Sequence, residues 1–302
     1  MSDDPDWSLV PEAPAPVAAA PQVLDCGHPL RADALGHGHV RLAVAQFPAG
    51  PIAGVAGLAA LLINWVARAA AGGAQLAVLP ARTAMICAES IAVPGVTPAE
   101  ALADVSPMVQ AALRDAARLS GLWLLGGTLP LRAADGTIGD WAPLVAPDGR
   151  IAWQGAGPDA PPAVFDTPFG RLGISIGTDI GFPKHVRAQV EAGAWLVLAP
   201  ARATDAHGAH RLHLAGAARA MENQCHVALA MMVGGECRGH AAVFGPVDAG
   251  FPQDGVLARG AMDRAEWVFC DLDTHGLDAV RARGGPGWPR TPFPACVPAD
   301  FA

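Results

Sequence analysis

The chain has 302 residues, about half of them apolar, and a formal net charge of −8; that is enough to bury one large α/β core. Its cations are 19 arginines and a single lysine, Lys184, scattered along the chain, which excludes the clustered basic footprint of a nucleic-acid partner. The start, MSDDPDW, is acidic where a secretory leader carries positive charge, and the six cysteines form no CxxC pair, so a cytoplasmic protein with free, buried thiols is expected.

Residues 1–38 are rich in Ala, Pro, Asp and Gly without a sustained period and are predicted to be a partly disordered extension. A single domain is expected over 39–283, with a tail over 284–302. Its elements begin with a strand over 40–47 and a helix over 53–71. That helix lies in PIAGVAGLAALLINWVARAAAGGA, which approaches the length of a membrane span, but Asn64, Arg68 and the strand-like run that follows favour a helix packed on a sheet. No membrane partner is expected. A strand over 75–79, a helix over 98–118 and a strand over 122–127 come next. Strands are predicted near 142–146, 150–154, 163–166 and 171–177, then a helix near 184–192, a strand at 195–199, a helix at 208–222 and a strand at 225–231. Such alternation means helices layered on buried sheet.

Two stretches resemble each other: GAQLAVLPARTA from 73 and GAWLVLAPARAT from 193. Each is a Gly-marked helix end, a buried strand and a Pro that turns the chain into a loop. The repeat suggests a pseudo-symmetric sandwich. Ligands of α/β sheets gather at strand ends, so the loops after Pro80 and Pro200 and the tip near Gly177 are where a site is expected.

Taken in order, RLAVAQF, GAQLAVLP, LLGGTLP, APDGRI, FDTPFGRLGISIGTDIGFPKHVR, GAWLVLAPA, RAMENQCHVALA, DGVLARG and CDLD resemble the nitrilase, or carbon-nitrogen hydrolase, superfamily over about residues 40–283. The resemblance implies a four-layer αββα sandwich that assembles as a homo-oligomer, or as a hetero-oligomer with a related nitrilase-fold subunit. It also implies a Glu, a Lys and a Cys that cleave amides or nitriles: the thiolate attacks carbon, the carboxylate moves the proton and the ammonium holds the developing charge. The matching positions carry other residues. Ala81 follows the Leu-Pro strand end, Gly157 or a close neighbour stands where the lysine is expected, and Gly177 takes the place of the cysteine. Lys184 comes just after FP, where the family usually has a Glu; Cys87 and Cys225, taken as the alternative thiols, lie dozens of residues from Gly177. Losing a buried Glu and Lys together leaves neither charge stranded, whereas losing one costs about 3–5 kcal/mol.

Other signals are weighed against plainer readings. GISIG at 173–177 fits the nucleophile elbow with Ser175, but Gly181 and Pro183 stand where the elbow's helix must begin. His207, His210 and His213 lack acidic or Cys ligands nearby, and so does CGH at 26–28 with His37 and His39, so no metal is expected. Asp179 matches the family's loop-holding acid and is predicted to cap the following turn. Arg219 and Glu222 are expected to pair at a helix end. Thr178, Asp179, Lys184 and Trp153 are the candidates to line a ligand pocket.

These substitutions lead to the expectation of a catalytically inactive pseudoenzyme, serving as a partner, scaffold or regulatory subunit without a cofactor. The alternatives are a small-molecule binding protein that uses the vestigial pocket, or a carbon-nitrogen hydrolase with substituted catalytic residues acting through Ser175, Thr178 or a water held by Asp179.

Overall fold

A computed structural model describes residues 39–284. The expected extension, with Cys26, His28 and His37, and all of the expected tail after Gly284, with Cys296, lie outside the described residues. The chain begins with β1 (His39–Pro48), α1 (Gly54–Ala71) and β2 (Leu76–Leu79), followed by a 3-10 turn at Thr83–Ile91. Helices α2 (Pro98–Asp104) and α3 (Ser106–Ser120) lead to β3 (Trp123–Gly126), β4 (Leu129–Arg132), β5 (Ile138–Val145) and β6 (Ile151–Gly155). The second half holds β7 (Val164–Thr167), β8 (Gly170–Ile174), a 3-10 turn at Gly177–Gly181, α4 (Pro183–Glu191), β9 (Leu196–Ala201) and α5 (Ala206–Asn223). It closes with β10 (His226–Val233), β11 (Ala242–Phe244), β12 (Val256–Arg259), β13 (Glu266–Asp273) and α6 (Thr274–Arg283).

The main sheet path is β4-β5-β3-β2-β1-β10-β9-β8-β7, and it folds over at β1. Residues His39 to Gln46 of β1 pair with β13, whereas Gln46 to Pro48 pair with β10, so two half-sheets meet at the end of one strand. Gln46 fixes that junction. It is fully buried, its Nε2 donates to the carbonyls of Ala261 (2.8 Å) and Arg264, and its Oε1 accepts the Ala241 N–H at 2.9 Å. A buried amide is tolerated there because both ends of it are bonded.

Alternation along the strands divides the core into three layers. On β1, Leu42 and Val44 face a central core shared with Leu196 and Leu198 of β9, while Ala43, Ala45 and Phe47 face an outer core with α1 and α3. On the other half-sheet, Val197 and Leu229 pack outward against Val186 of α4 and Leu212 of α5. The result is helix, sheet, sheet, helix, as expected. Helix α1 is long and apolar enough to cross a membrane, yet Val55, Leu58, Leu62, Trp65 and Val66 recur at helical spacing and are buried in the outer core.

The single helix expected over 98–118 is two. Val105 separates them because Pro107, in the first turn of α3, has no N–H to continue the ladder, while Thr97 and Glu100 form a reciprocal capping box that starts α2. The strand expected over 171–177 ends at Ile174, and the chain enters a 3-10 turn instead. β4, β11, β12, β13, α6 and the 3-10 turn after Arg82 have no counterpart among the predicted elements. β13 carries Glu266 and Asp271 among its apolar residues and is recognised as a strand only through its register with β1.

Candidate active site

β1, β2 and β3 run parallel, and β1, β10, β9 and β8 run parallel; β6 shares that direction, being antiparallel to β5, which is antiparallel to β3. The C-terminal ends of β2, β6, β8, β9 and β10 therefore emerge on one edge, where open α/β sheets place their ligands. The loops after Pro80 and Pro200 and the Gly177 tip share this edge, as the repeated strand-Pro units predict.

Two glycines shape the edge. Gly177 has φ +54° and Gly157 φ +92°, both in the left-handed region, and a Cβ at either would meet no atom within 4 Å. Space is open above both. The two strand ends are tied by Asp179, buried in the 3-10 turn, whose Oδ2 accepts the Gly157 N–H at 3.0 Å. The expectation that Asp179 caps the next turn is corrected: Phe182, which starts α4, has no side-chain cap, because the carboxylate reaches 22 residues back along the chain to bond Gly157.

Arg219 fixes the same turn from α5. Its side chain is 9% exposed, its Nε lies 2.7 Å from Glu222 Oε1, and its Nη1 donates to the Gly181 carbonyl at 3.3 Å. The predicted Arg219–Glu222 pair is present and also anchors the Asp179 turn.

The other candidates separate. Thr178 and Lys184 are exposed, the latter in the first turn of α4. Trp153 packs with Trp141 and Ile151 against the outer core beside α1 and α3. Ser175 is fully buried with its Oγ unpartnered, and the segment after it forms a 3-10 turn rather than the helix that a nucleophile elbow needs. Ala81 is buried at the end of β2, followed by Arg82 in a left-handed conformation (φ 61°) whose N–H donates to Thr128 Oγ1 at 2.8 Å. His207 and His210 are exposed and His213 is half-buried; among the described residues no three His, Cys, Asp or Glu side chains gather as a metal shell.

Two groups at this edge were not legible in the sequence. His185, on α4, has both ring nitrogens buried without a hydrogen-bond partner; burial holds its pKa below the usual value, and the Asp179 carboxylate opposes that shift. Cys237, 3% exposed and packed at the margin of the outer core, is the second. After β10, Gly234 (φ 85°) and Gly235 (φ 57°) turn the chain back, and the Cys237 N–H closes the turn on the Gly234 carbonyl at 2.9 Å. Arg202, two residues beyond Pro200 on the β9 loop, then donates its Nε–H to Cys237 Sγ at 3.2 Å. Of the other described thiols, Cys87 donates to the Ala84 carbonyl at 3.2 Å, and burial pushes Cys225 up to about 12, against the pull of Arg281, Arg187 and Arg219, and Cys270 up to about 11, against that of Arg41.

Residues 41–248 match the family model described as carbon-nitrogen hydrolase. Among curated proteins, the chain is 28% identical over 158 residues to the probable hydrolase YhcX of Bacillus subtilis, covering 50% of this chain and 31% of that protein. It is 29% identical over 144 residues to a deaminated glutathione amidase of Synechocystis, covering 45% of this chain and 50% of that one. It is 25% identical over 190 residues to the omega-amidase NIT2 of Bos taurus, covering 56% and 68%. The match thus spans a third to a half of the first two relatives.

Among solved structures, Nit3 of Saccharomyces cerevisiae superposes with a TM-score of 0.67 at 18% identity, over 82% of this chain and 95% of that one. An amidase from Nesterenkonia gives 0.62 at 24% identity, over 82% and 96%. These identities carry the fold, and the αββα reading stands.

The expectation that the chain is not an enzyme is corrected, because the curated relatives carry the names of hydrolases and amidases. It rested on the residues at three family positions alone. With a matched span of 208 residues out of 302, the chain belongs to the carbon-nitrogen hydrolase family.

Proposed function

We propose that the protein hydrolyses the carbon-nitrogen bond of an amide with substituted catalytic residues, using Cys237 as nucleophile and Arg202 to hold its thiolate. The observation that carries this reading is the 3.2 Å contact from Arg202 Nε to Cys237 Sγ at the edge where the parallel strands end. The Nε–H that reaches the sulfur holds it in place for attack on the amide carbon. The reading takes Ala81, Gly157 and Gly177 to stand at the family's Glu, Lys and Cys positions, so that the attacking group arrives from the β10 loop instead of the β8 tip.

In this scheme the Cys237 thiolate adds to the amide carbonyl, the tetrahedral adduct expels the amine as it takes up the proton that the thiol lost, and water cleaves the resulting thioester to acid and free thiol. The buried titratable groups on the β8 side, Asp179 and His185, are assigned the proton transfers. The open space at Gly157 and Gly177 is assigned to the substrate. The names of the relatives, omega-amidase and deaminated glutathione amidase, support a small organic acid carrying a primary amide as the substrate class.

The test is ammonia release by the full chain from a panel of primary amides, short dicarboxylic acid monoamides included. Turnover that is abolished by Cys237→Ala and cut at least tenfold by Arg202→Gln is expected. Absence of turnover across the panel, or turnover untouched by Cys237→Ala, overturns the reading.

A further inference from the structure

Arg82 follows Ala81 at the end of β2, and its backbone lies in the left-handed region, φ 61°. An L side chain is disfavoured there, and glycine is the residue that takes such a turn freely. The conformation is held from two sides. The Arg82 N–H donates to Oγ1 of the buried Thr128 at 2.8 Å, and Thr83 Oγ1 donates to the Pro80 carbonyl at 2.8 Å. Gly127, just after β3, passes so close that a Cβ there would lie 2.3 Å from the Pro80 carbonyl oxygen. Two loops thus interlock to present an arginine where glycine would fit with less strain. A side chain that its surroundings keep in such a conformation marks a functional position.

The arginine reaches towards the gap between the half-sheets. Its Nη2 lies 3.5 Å from Asp140 Oδ2 on β5. Asp140 shares a face of β5 with Ala142 and Leu144, which pack in the central core with Ile174 and Ile176 from the second half of the chain. The Asp140 carbonyl accepts the Ala156 N–H at 2.9 Å, so the guanidinium comes down close to Gly157, where space is open. Half of the Arg82 side chain is in solvent, and among the described residues its guanidinium makes only this long contact with Asp140, which leaves most of its five donors for a ligand. Other cations of the edge are engaged elsewhere: Arg202 is on Cys237 Sγ, Arg219 is paired with Glu222, and Lys184 belongs to α4 in the outer helix layer.

We infer that Arg82 selects the substrate, taking the carboxylate of a short dicarboxylic acid monoamide in the open space beside Gly157. The inference rests on the proposed amide hydrolysis. A guanidinium matches a carboxylate in two parallel hydrogen bonds; Asp140 steadies one side of the fork and the acid takes the other.

The test compares succinamate with butyramide, in which a methyl group replaces the carboxylate. In ammonia-release assays Arg82→Gln should raise KM for succinamate about tenfold or more and lower the succinamate-to-butyramide ratio of kcat/KM by the same factor; an arginine that only braces its loop would affect both amides alike. Succinate, the acid product, is titrated calorimetrically in parallel, and Arg82→Gln should weaken its binding about tenfold or more. Arg82→Gly, which suits the left-handed backbone, should lose acid binding equally while melting no lower than wild type, so that the loss is not one of folding. If neither amide is cleaved while succinate binding still depends on Arg82, the hydrolytic reading falls and the carboxylate site stands. An unchanged succinamate-to-butyramide ratio, no succinate binding to the wild type, or succinate binding that Arg82→Gln leaves untouched each overturns the inference.

Discussion

Asp179 Oδ2 accepts the backbone N–H of Gly157 at 3.0 Å, joining the ends of β6 and β8, which lie on opposite half-sheets. Asp179→Ala leaves that half-buried N–H without its partner. A loss of about 1–3 kcal/mol in urea unfolding is expected, with Asp179→Asn close to wild type because the amide oxygen still accepts.

The thiols should react in an order set by their surroundings. Iodoacetamide is expected to modify Cys237, 3% exposed, before the fully buried Cys87 and Cys225 in the folded protein, and Arg202→Gln should slow that step severalfold. Cys225, buried and pushed up to about 12, should stay unmodified until unfolding. Peptide mapping after timed quenching checks both.

Acid should destabilise the protein through His213. Burial, the neighbouring His240 and Arg259 hold its folded pKa down at about 4, against 6.5 for the free side chain. Below pH 6.5 the unfolded chain takes up a proton that the folded one refuses, so stability is complete above pH 6.5 and is lost as pH falls towards 4. The full loss is about 3 kcal/mol. His213→Phe should flatten the fall in melting temperature between pH 7 and pH 4.5; an identical slope in the variant contradicts this account.

Arg219→Ala removes the partner of Glu222 and the donor to Gly181 together. Glu222 keeps 31% of its side chain in solvent, which softens the penalty for an unpaired charge to about 2–3 kcal/mol. Because the same turn carries Asp179, amide turnover should fall along with stability, while Arg219→Lys should restore part of the stability in chemical denaturation.

Gly177→Cys tests the vacant tip. No atom obstructs a β-carbon there, so the cost should be only that of the left-handed backbone, about 1–2 kcal/mol, and the introduced thiol should be alkylated in the folded protein.

Much of the fold was legible. Buried runs such as LAVL and LVLAPA flanked by Gly and Pro define strands because burial and chain termination are local properties. Strands β12 and β13 were not, since their residues are only partly apolar and β13 is held by its register with β1. The site divides the same way. Asp179 could be singled out by its place in SIGTD, but its partner could not, because Gly157 lies 22 residues away and offers only a backbone N–H. His185 gave no signal beyond one histidine on an amphipathic helix.

What the amino-acid order determined by itself is the layering of helices on buried sheet and the edge where the loops converge, since hydrophobic period, Pro and Gly act within a few residues; the αββα arrangement was implied by the family resemblance. Only the folded chain decided that Arg202 and Cys237 meet, across 35 positions. Such a contact depends on β9 and β10 lying side by side, and the turn of two left-handed glycines after β10 completes it; no short stretch of sequence contains that information.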